Sequence, residues 1–90
     1  MLLVMYDIES NKLRTKFAQF LKQYGRRIQY SVFEIQNSHR ILANIRLAVQ
    51  HEYAKSFTQG DSVMIIDVPD NCIIDRFGYA KNEETDLLLF

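Results

Sequence analysis

Leu2-Leu3-Val4-Met5-Tyr6 is an apolar run with no charge and no turn residue, which predicts a strand buried on both faces and ending at Asp7. Beyond it the period changes. Leu13, Phe17, Phe20, Leu21 and Tyr24 fall on one face of a helix, with Ser10 as its N-cap and Gly25 as its end. Residues 26–36 are rich in β-branched and aromatic side chains but alternate imperfectly, so they predict either one bent strand or two very short ones. Asn37 and Ser38 then cap a second helix whose apolar face is Ile41, Leu42, Ile45, Ala48, Val49 and Tyr53, and which ends near Gly60. Asp61 to Val68 predicts a strand, Pro69-Asp70-Asn71 a turn, and Cys72 to Phe77 a further strand that closes a hairpin. After the polar stretch Lys81 to Asp86, Leu87 to Phe90 predicts a short strand on a sheet edge, in this subunit or in a partner.

Strand, helix, strand, helix, strand, strand and short strand make an α+β sandwich of the ferredoxin-like type, with helices covering one face of a sheet. The regular form of that fold has a hairpin between its helices, and eleven residues, 26–36, are available for it here. Ninety residues, 48% of them hydrophobic, suffice for one domain over 1–90, in which 79–90 form a C-terminal extension suited to a dimer or partner interface. A chain of this size buries only roughly three fifths of its unfolded surface, which favours oligomerisation. The single cysteine, Cys72, allows neither an intramolecular disulfide nor a thiolate zinc site, and reads as a buried apolar residue in a reducing compartment. No apolar stretch reaches the roughly 18 residues of a membrane span, and no signal peptide is apparent, so the expectation is a cytoplasmic protein with no membrane association.

The net charge of zero conceals an uneven distribution. Ser10 to Phe33 carries Lys12, Arg14, Lys16, Lys22, Arg26 and Arg27 and no acid, whereas Phe57 to Phe90 carries seven acids against Arg76 and Lys81. Such asymmetry fits one surface that faces a polyanion, although a solvated helix face produces part of the same pattern. Asp7, at the end of a rigid strand, is placed either to cap the next helix or to serve as a metal ligand or general base. His39 and His51 are twelve apart, not at the spacing of helical metal ligands, and read as surface residues. Ser31 has no His-Asp partner that would make it a nucleophile. Tyr6, Tyr30 and Phe33 could stack on bases or belong to the core.

Two motifs then coincide: Tyr6-Asp7-Ile8 at the end of the first strand, and Arg27-Ile28-Gln29-Tyr30-Ser31-Val32-Phe33-Glu34 after the first helix. With the chain length and element order, they resemble the CRISPR-associated family of small endonuclease-like proteins that partner the spacer integrase, the Cas-two family. The resemblance implies a ferredoxin-like homodimer in which two copies of Asp7 face each other across the dimer axis and bind a divalent metal such as Mg²⁺. It makes Asp7 a catalytic metal ligand with Tyr6 beside it, and matches Arg14, Lys16, Arg27, Ser31 and Phe33 to positions associated with nuclease activity or with shaping the site. Lys16 stands where relatives carry Arg and lacks the bidentate fork. The basic residues Lys12, Arg14, Lys16, Arg26 and Arg27 form the expected nucleic-acid-binding band.

Three functions follow as alternatives. One is a structural adaptor: a dimer that bridges the integrase and supports duplex DNA for insertion into the CRISPR array. Another is a metal-dependent endonuclease acting on single-stranded RNA or duplex DNA, which additionally needs a competent Asp7; the two are compatible, because the same carboxylates can persist in a scaffold whose cleavage is dispensable. A ligand-sensing ferredoxin-like module, the third, lacks a Gly-rich phosphate loop.

Overall fold

The computed structural model describes residues 1–78, and all structural statements below concern those residues. Four antiparallel strands, β1 (Leu2–Asp7), β2 (Gly25–Gln29), β3 (Val32–Ile35) and β4 (Ser62–Asp67), form one sheet in the order β2-β3-β1-β4. Helices α1 (Asn11–Leu21) and α2 (His39–Ala48) complete a βαββαβ chain. The segment between the helices therefore holds two short strands, one of the two forms that its sequence left open. Its imperfect alternation has a physical cause: the β2–β3 register skips between Arg27 and Gln29, a bulge that turns the side chains out of step.

The core lies on one side of the sheet. Leu2, Val4 and Tyr6 of β1 and Phe33 and Ile35 of β3 meet Phe17, Ala18 and Leu21 of α1, Ile45 of α2 and Tyr53. Phe17 is central to it, with ring centroids of Tyr6 at 5.2 Å and Tyr53 at 4.9 Å, both edge-on. That edge-to-face arrangement sets the positive rim of one ring against the negative face of the next. Contrary to expectation, β1 is buried on one face only: Leu3 and Met5 are half-buried, because no helix covers the other side. That open face also carries the β4 side chains of Met64 and Ile66, which are 59% and 40% exposed.

Both helices begin as their sequences dictate. Ser10 Oγ accepts the N–H of Leu13 at 3.2 Å and Ser38 Oγ that of Ile41 at 3.4 Å. Asn37 takes no part in the cap; its amide donates to Asp67 Oδ1 at 2.7 Å and ties the entry of α2 to β4. After α2 the chain widens into a π turn, Val49–Tyr53, that carries Tyr53 into the core, and ends in a 3-10 turn, Ala54–Ser56. Gly25 opens β2 instead of capping α1: a Cβ there would collide with the Glu34 carbonyl oxygen and stand 2.9 Å from Ile35 Cα.

The predicted strand Cys72 to Phe77 does not form. Past the turn, in which the Cys72 N–H donates to Pro69 O at 3.1 Å, the chain does not return along β4; Arg76 instead forms an ion pair with Glu34 of β3. Without a ladder there is no core for this segment to enter, so Cys72 is exposed rather than buried, and Ile73 and Phe77 are 87% and 91% exposed. The expected strand Leu87 to Phe90 and the extension 79–90 lie outside the described residues. Among the described residues, no helix is long and apolar enough to cross a membrane.

Candidate metal centre and nucleic-acid interface

Tyr6 and Asp7 are adjacent in sequence and lie on opposite faces of the sheet, because strand side chains alternate. Tyr6 stands opposite Val63 and faces the helices; Asp7 stands opposite Ser62 and faces the open side, exposed, in line with Leu3 and Met5. The ladder to β4 holds Asp7 by its backbone while leaving the carboxylate to solvent. Among the described residues, no three His, Cys, Asp or Glu side chains converge on a common point. A hard divalent cation uses one or two carboxylates with waters. Asp7 offers one exposed carboxylate of this kind, at the rim of an apolar face.

The helix side of the same strand end has a different chemistry. Tyr6 is 5% exposed and its hydroxyl meets no partner at hydrogen-bond geometry. Burial pushes its pKa up from 10.0; the nearby Arg27 guanidinium, and more weakly Arg14, pull the other way. Arg27 projects from β2 beneath α1, its guanidinium 5.5 Å from the Phe33 ring centroid. Phe33 has no exposed surface, so its ring packs in the core and offers no face to a base. Ser31, in the β2–β3 turn, accepts the Tyr6 N–H through its backbone carbonyl at 3.1 Å, so this turn fixes the end of β1. Between α1 and the sheet lies a cavity of about 200 Å³ lined in part by Tyr6, Arg14, Gln19, Lys22, Arg27 and Tyr30.

The basic residues do not form one continuous band. Lys12 is exposed on the first turn of α1. Arg14 turns back on the loop that follows Asp7, donating to the carbonyls of Ile8 at 2.9 Å and Glu9 at 3.3 Å and to Asn11 Oδ1, with its guanidinium 5.9 Å from the Tyr30 ring centroid. Lys16 pairs with Glu52 at 3.4 Å and lies 6.0 Å from the Tyr53 ring centroid. Arg26 and Arg27 part across the strand: Arg26 joins Glu34 at 3.6 Å on the open face, whereas Arg27 lies under α1. Arg14 and Arg27 are thus brought together with Tyr6, while Arg26 and Asp7 belong to the other side of the sheet.

Asp61 is a participant that the sequence did not single out. Its carboxylate accepts the N–H of Glu9 at 2.9 Å and that of Thr58 at 2.8 Å, joining the loop after Asp7 to the approach to β4. A loop aspartate ahead of a strand carries no signal for a bond made 52 residues away. His39 and His51 are exposed.

Comparison with known proteins places this geometry. The family model described as CRISPR associated protein Cas2 matches residues 1–75. A CRISPR-associated endoribonuclease Cas2 of Methanospirillum hungatei is 34% identical over 71 residues, covering 79% of this chain and 75% of that protein. A CRISPR-associated endonuclease Cas2 of Thermus thermophilus is 46% identical over 43 residues, and the chain spans about half of its length, 48%. Among solved structures, a hypothetical protein from Thermus thermophilus superposes with a TM-score of 0.71 at 31% identity, over 91% of this chain and 95% of that one. Streptococcus pyogenes Cas2 superposes with a TM-score of 0.61 at 25% identity, over 78% and 87%. With a family match across both motifs and the whole βαββαβ sheet, the chain belongs to the CRISPR-associated Cas2 family.

Proposed function

We propose that the chain acts as a homodimer that binds nucleic acid, joins the CRISPR spacer integrase in the insertion of new spacers, and hydrolyses phosphodiester bonds with a divalent cation held by two copies of Asp7. The observation that carries this reading is the place of Asp7 at the rim of the open sheet face, beside Leu3, Met5, Met64 and Ile66. A two-fold contact through an apolar face is self-complementary, so it brings the same residue of each copy toward one axis. Two carboxylates there repel each other, and Mg²⁺ relieves that repulsion while supplying positive charge opposite a reacting phosphate.

In this reading the chain's own residues divide the work. Asp7 ligates the metal from the end of a strand braced on both edges. Tyr6 and Phe33 support that strand end from the helix side, Ser31 holds it through its backbone carbonyl, and all three act as positioning residues. Lys12, Arg14, Lys16, Arg26 and Arg27 provide the field that attracts duplex DNA or single-stranded RNA. The names of the Methanospirillum and Thermus relatives, an endoribonuclease and an endonuclease, support hydrolysis as the reaction class.

Cleavage and duplex binding are measured side by side with wild type and Asp7→Ala, in Mg²⁺ and in EDTA. Cleavage is lost on EDTA addition and in Asp7→Ala, while duplex binding survives both. Undiminished Mg²⁺-dependent cleavage by Asp7→Ala sinks the metal reading. Loss of integrase association on disrupting the dimer supports the adaptor role, and its persistence in a monomer removes it.

A further inference from the structure

Asp7 is the last residue of β1 to pair with β4, opposite Ser62. Strand ends fray, so the last pair of a ladder holds its side chains less firmly than the pairs behind it. Here two ionised side chains grip the chain just past that end. On the β4 side, Asp61, the residue before Ser62, accepts the Glu9 N–H through Oδ1 at 2.9 Å and so extends the join beyond the ladder. On the α1 side, Arg14 Nη1 donates to the carbonyls of Ile8 at 2.9 Å and Glu9 at 3.3 Å. Both grips are themselves fixed: Asp61 Oδ2 takes the N–H of Thr58 at 2.8 Å and its hydroxyl at 3.1 Å, and Arg14 Nη2 bonds Asn11 Oδ1. Ile8, between them, is only 3% exposed and packs into the core. Water satisfies the backbone of an exposed loop unaided, so what a carboxylate and a guanidinium add over residues 8–10 is a fixed course for the loop, and with it a fixed end of β1.

We propose that Asp61 is a positioning residue for the Asp7 carboxylate, fixing the strand end so that two copies of Asp7 meet one divalent cation at a defined separation. The inference rests on the metal reading of Asp7 above. Mg²⁺ demands near-octahedral geometry with oxygens at about 2.0–2.1 Å, so a spread in the position of either carboxylate weakens its hold on the ion. Asp61 acts through Glu9 and Ser62 without touching the metal, since both its oxygens are taken by N–H and hydroxyl donors. Removing a group that orients a metal ligand costs about 10–100-fold in metal affinity or activity.

Four measurements are made on wild type, Asp61→Ala, Asp61→Asn and Asp7→Ala: hydrogen exchange at the Glu9 amide, Mn²⁺ binding by electron paramagnetic resonance, cleavage against Mg²⁺ concentration, and duplex binding in EDTA. Circular dichroism melts set a temperature at which each variant is folded. In wild type the Glu9 amide is protected although its residue is exposed. In Asp61→Ala that protection is lost, Mn²⁺ binds about tenfold or more weakly, and the Mg²⁺ needed for half-maximal cleavage rises by a similar factor, while duplex affinity is unchanged. Asp61→Asn, whose amide oxygen still accepts the Glu9 N–H, recovers much of the loss and serves where Asp61→Ala does not fold. A freely exchanging Glu9 amide in wild type overturns the positioning role. So does wild-type Mn²⁺ affinity in Asp61→Ala alongside its loss in Asp7→Ala, a result that leaves the metal reading intact. A fall in duplex affinity as large as the fall in cleavage makes Asp61 a general structural support and overturns the role as well. If Asp7→Ala binds Mn²⁺ as wild type does, or wild type binds none, the metal reading falls and this inference with it.

Discussion

Asp61 accepts the backbone N–H of Glu9 at 2.9 Å, closing the loop after Asp7 onto the start of β4 across 52 residues of sequence. Its other oxygen takes the Thr58 N–H at 2.8 Å and the Thr58 hydroxyl at 3.1 Å. The Thr58 N–H, followed by that of Glu9, holds the Asp61 carboxyl below its ordinary value of 3.8. A value lowered on folding means stability that is present above the unfolded pKa and lost as pH falls through the folded one. In thermal melts, wild type is therefore more stable than Asp61→Asn at about pH 7, and the difference closes once the pH drops well below the ordinary carboxyl value. A difference that persists unchanged into strong acid contradicts the clasp.

Phe33 is a site residue by resemblance and a core residue by position. Phe33→Ala removes a ring with no exposed surface, and the expected cost is about 3–5 kcal/mol in urea unfolding. Retained stability with lost nucleic-acid binding would instead assign the ring to contact with bases.

Gly25 and Gly60 separate two reasons for glycine. At Gly60, φ is +97° and nothing lies within 4 Å of an added Cβ, so Gly60→Ala costs about 1–2 kcal/mol of backbone strain. At Gly25 the added methyl meets the β3 backbone. Overpacking costs about 1–3 kcal/mol, and here the β2–β3 pairing opens as well, so Gly25→Ala is the more destabilising of the two by chemical denaturation.

Met64 and Ile66 test the dimer. A charge on the open face, as in Met64→Glu, opposes burial of that face against a second copy. If this face joins two copies, as proposed, sedimentation equilibrium shows a dimer for wild type and monomers for Met64→Glu, and Mg²⁺-dependent cleavage is lost although Asp7 is untouched. A monomer that still cleaves refutes the need for two copies of the carboxylate.

Salt reports on the phosphate contacts. Duplex affinity falls by roughly a thousandfold or more between about 50 and 200 mM salt if six or so phosphates are neutralised. Lys12→Ala lowers the logarithmic slope by about 0.9 if Lys12 neutralises one phosphate. Lys16→Ala changes it less, because that ammonium already pairs with Glu52 at 3.4 Å.

What the sequence made legible was local. Ser10 and Ser38 cap their helices as their spacing indicated, and the stripe from Leu13 to Leu21 turns inward. The Tyr6-Asp7-Ile8 and Arg27-to-Glu34 motifs led to the family that the comparisons support. What escaped depended on contacts distant in sequence. A run such as Leu2 to Tyr6 cannot disclose that one face lacks a covering helix. The apolar letters of Cys72 to Phe77 likewise cannot disclose that Arg76 meets Glu34 in place of a ladder along β4. The parting of Arg26 and Arg27, by contrast, was within reach of the sequence, since neighbours in a predicted strand point to opposite faces.

The alternation that separates Tyr6 from Asp7 makes β1 sensitive to length more than to composition. Exchanges among Leu, Ile, Val and Met within it keep every side chain on its own side. A one-residue insertion or deletion moves each later side chain to the other face, sending the carboxylate toward the aromatic core and the phenol out to solvent. For β1 the count of residues is thus the inherited quantity that mutation can least alter, since both faces of the sheet are read from the same six positions.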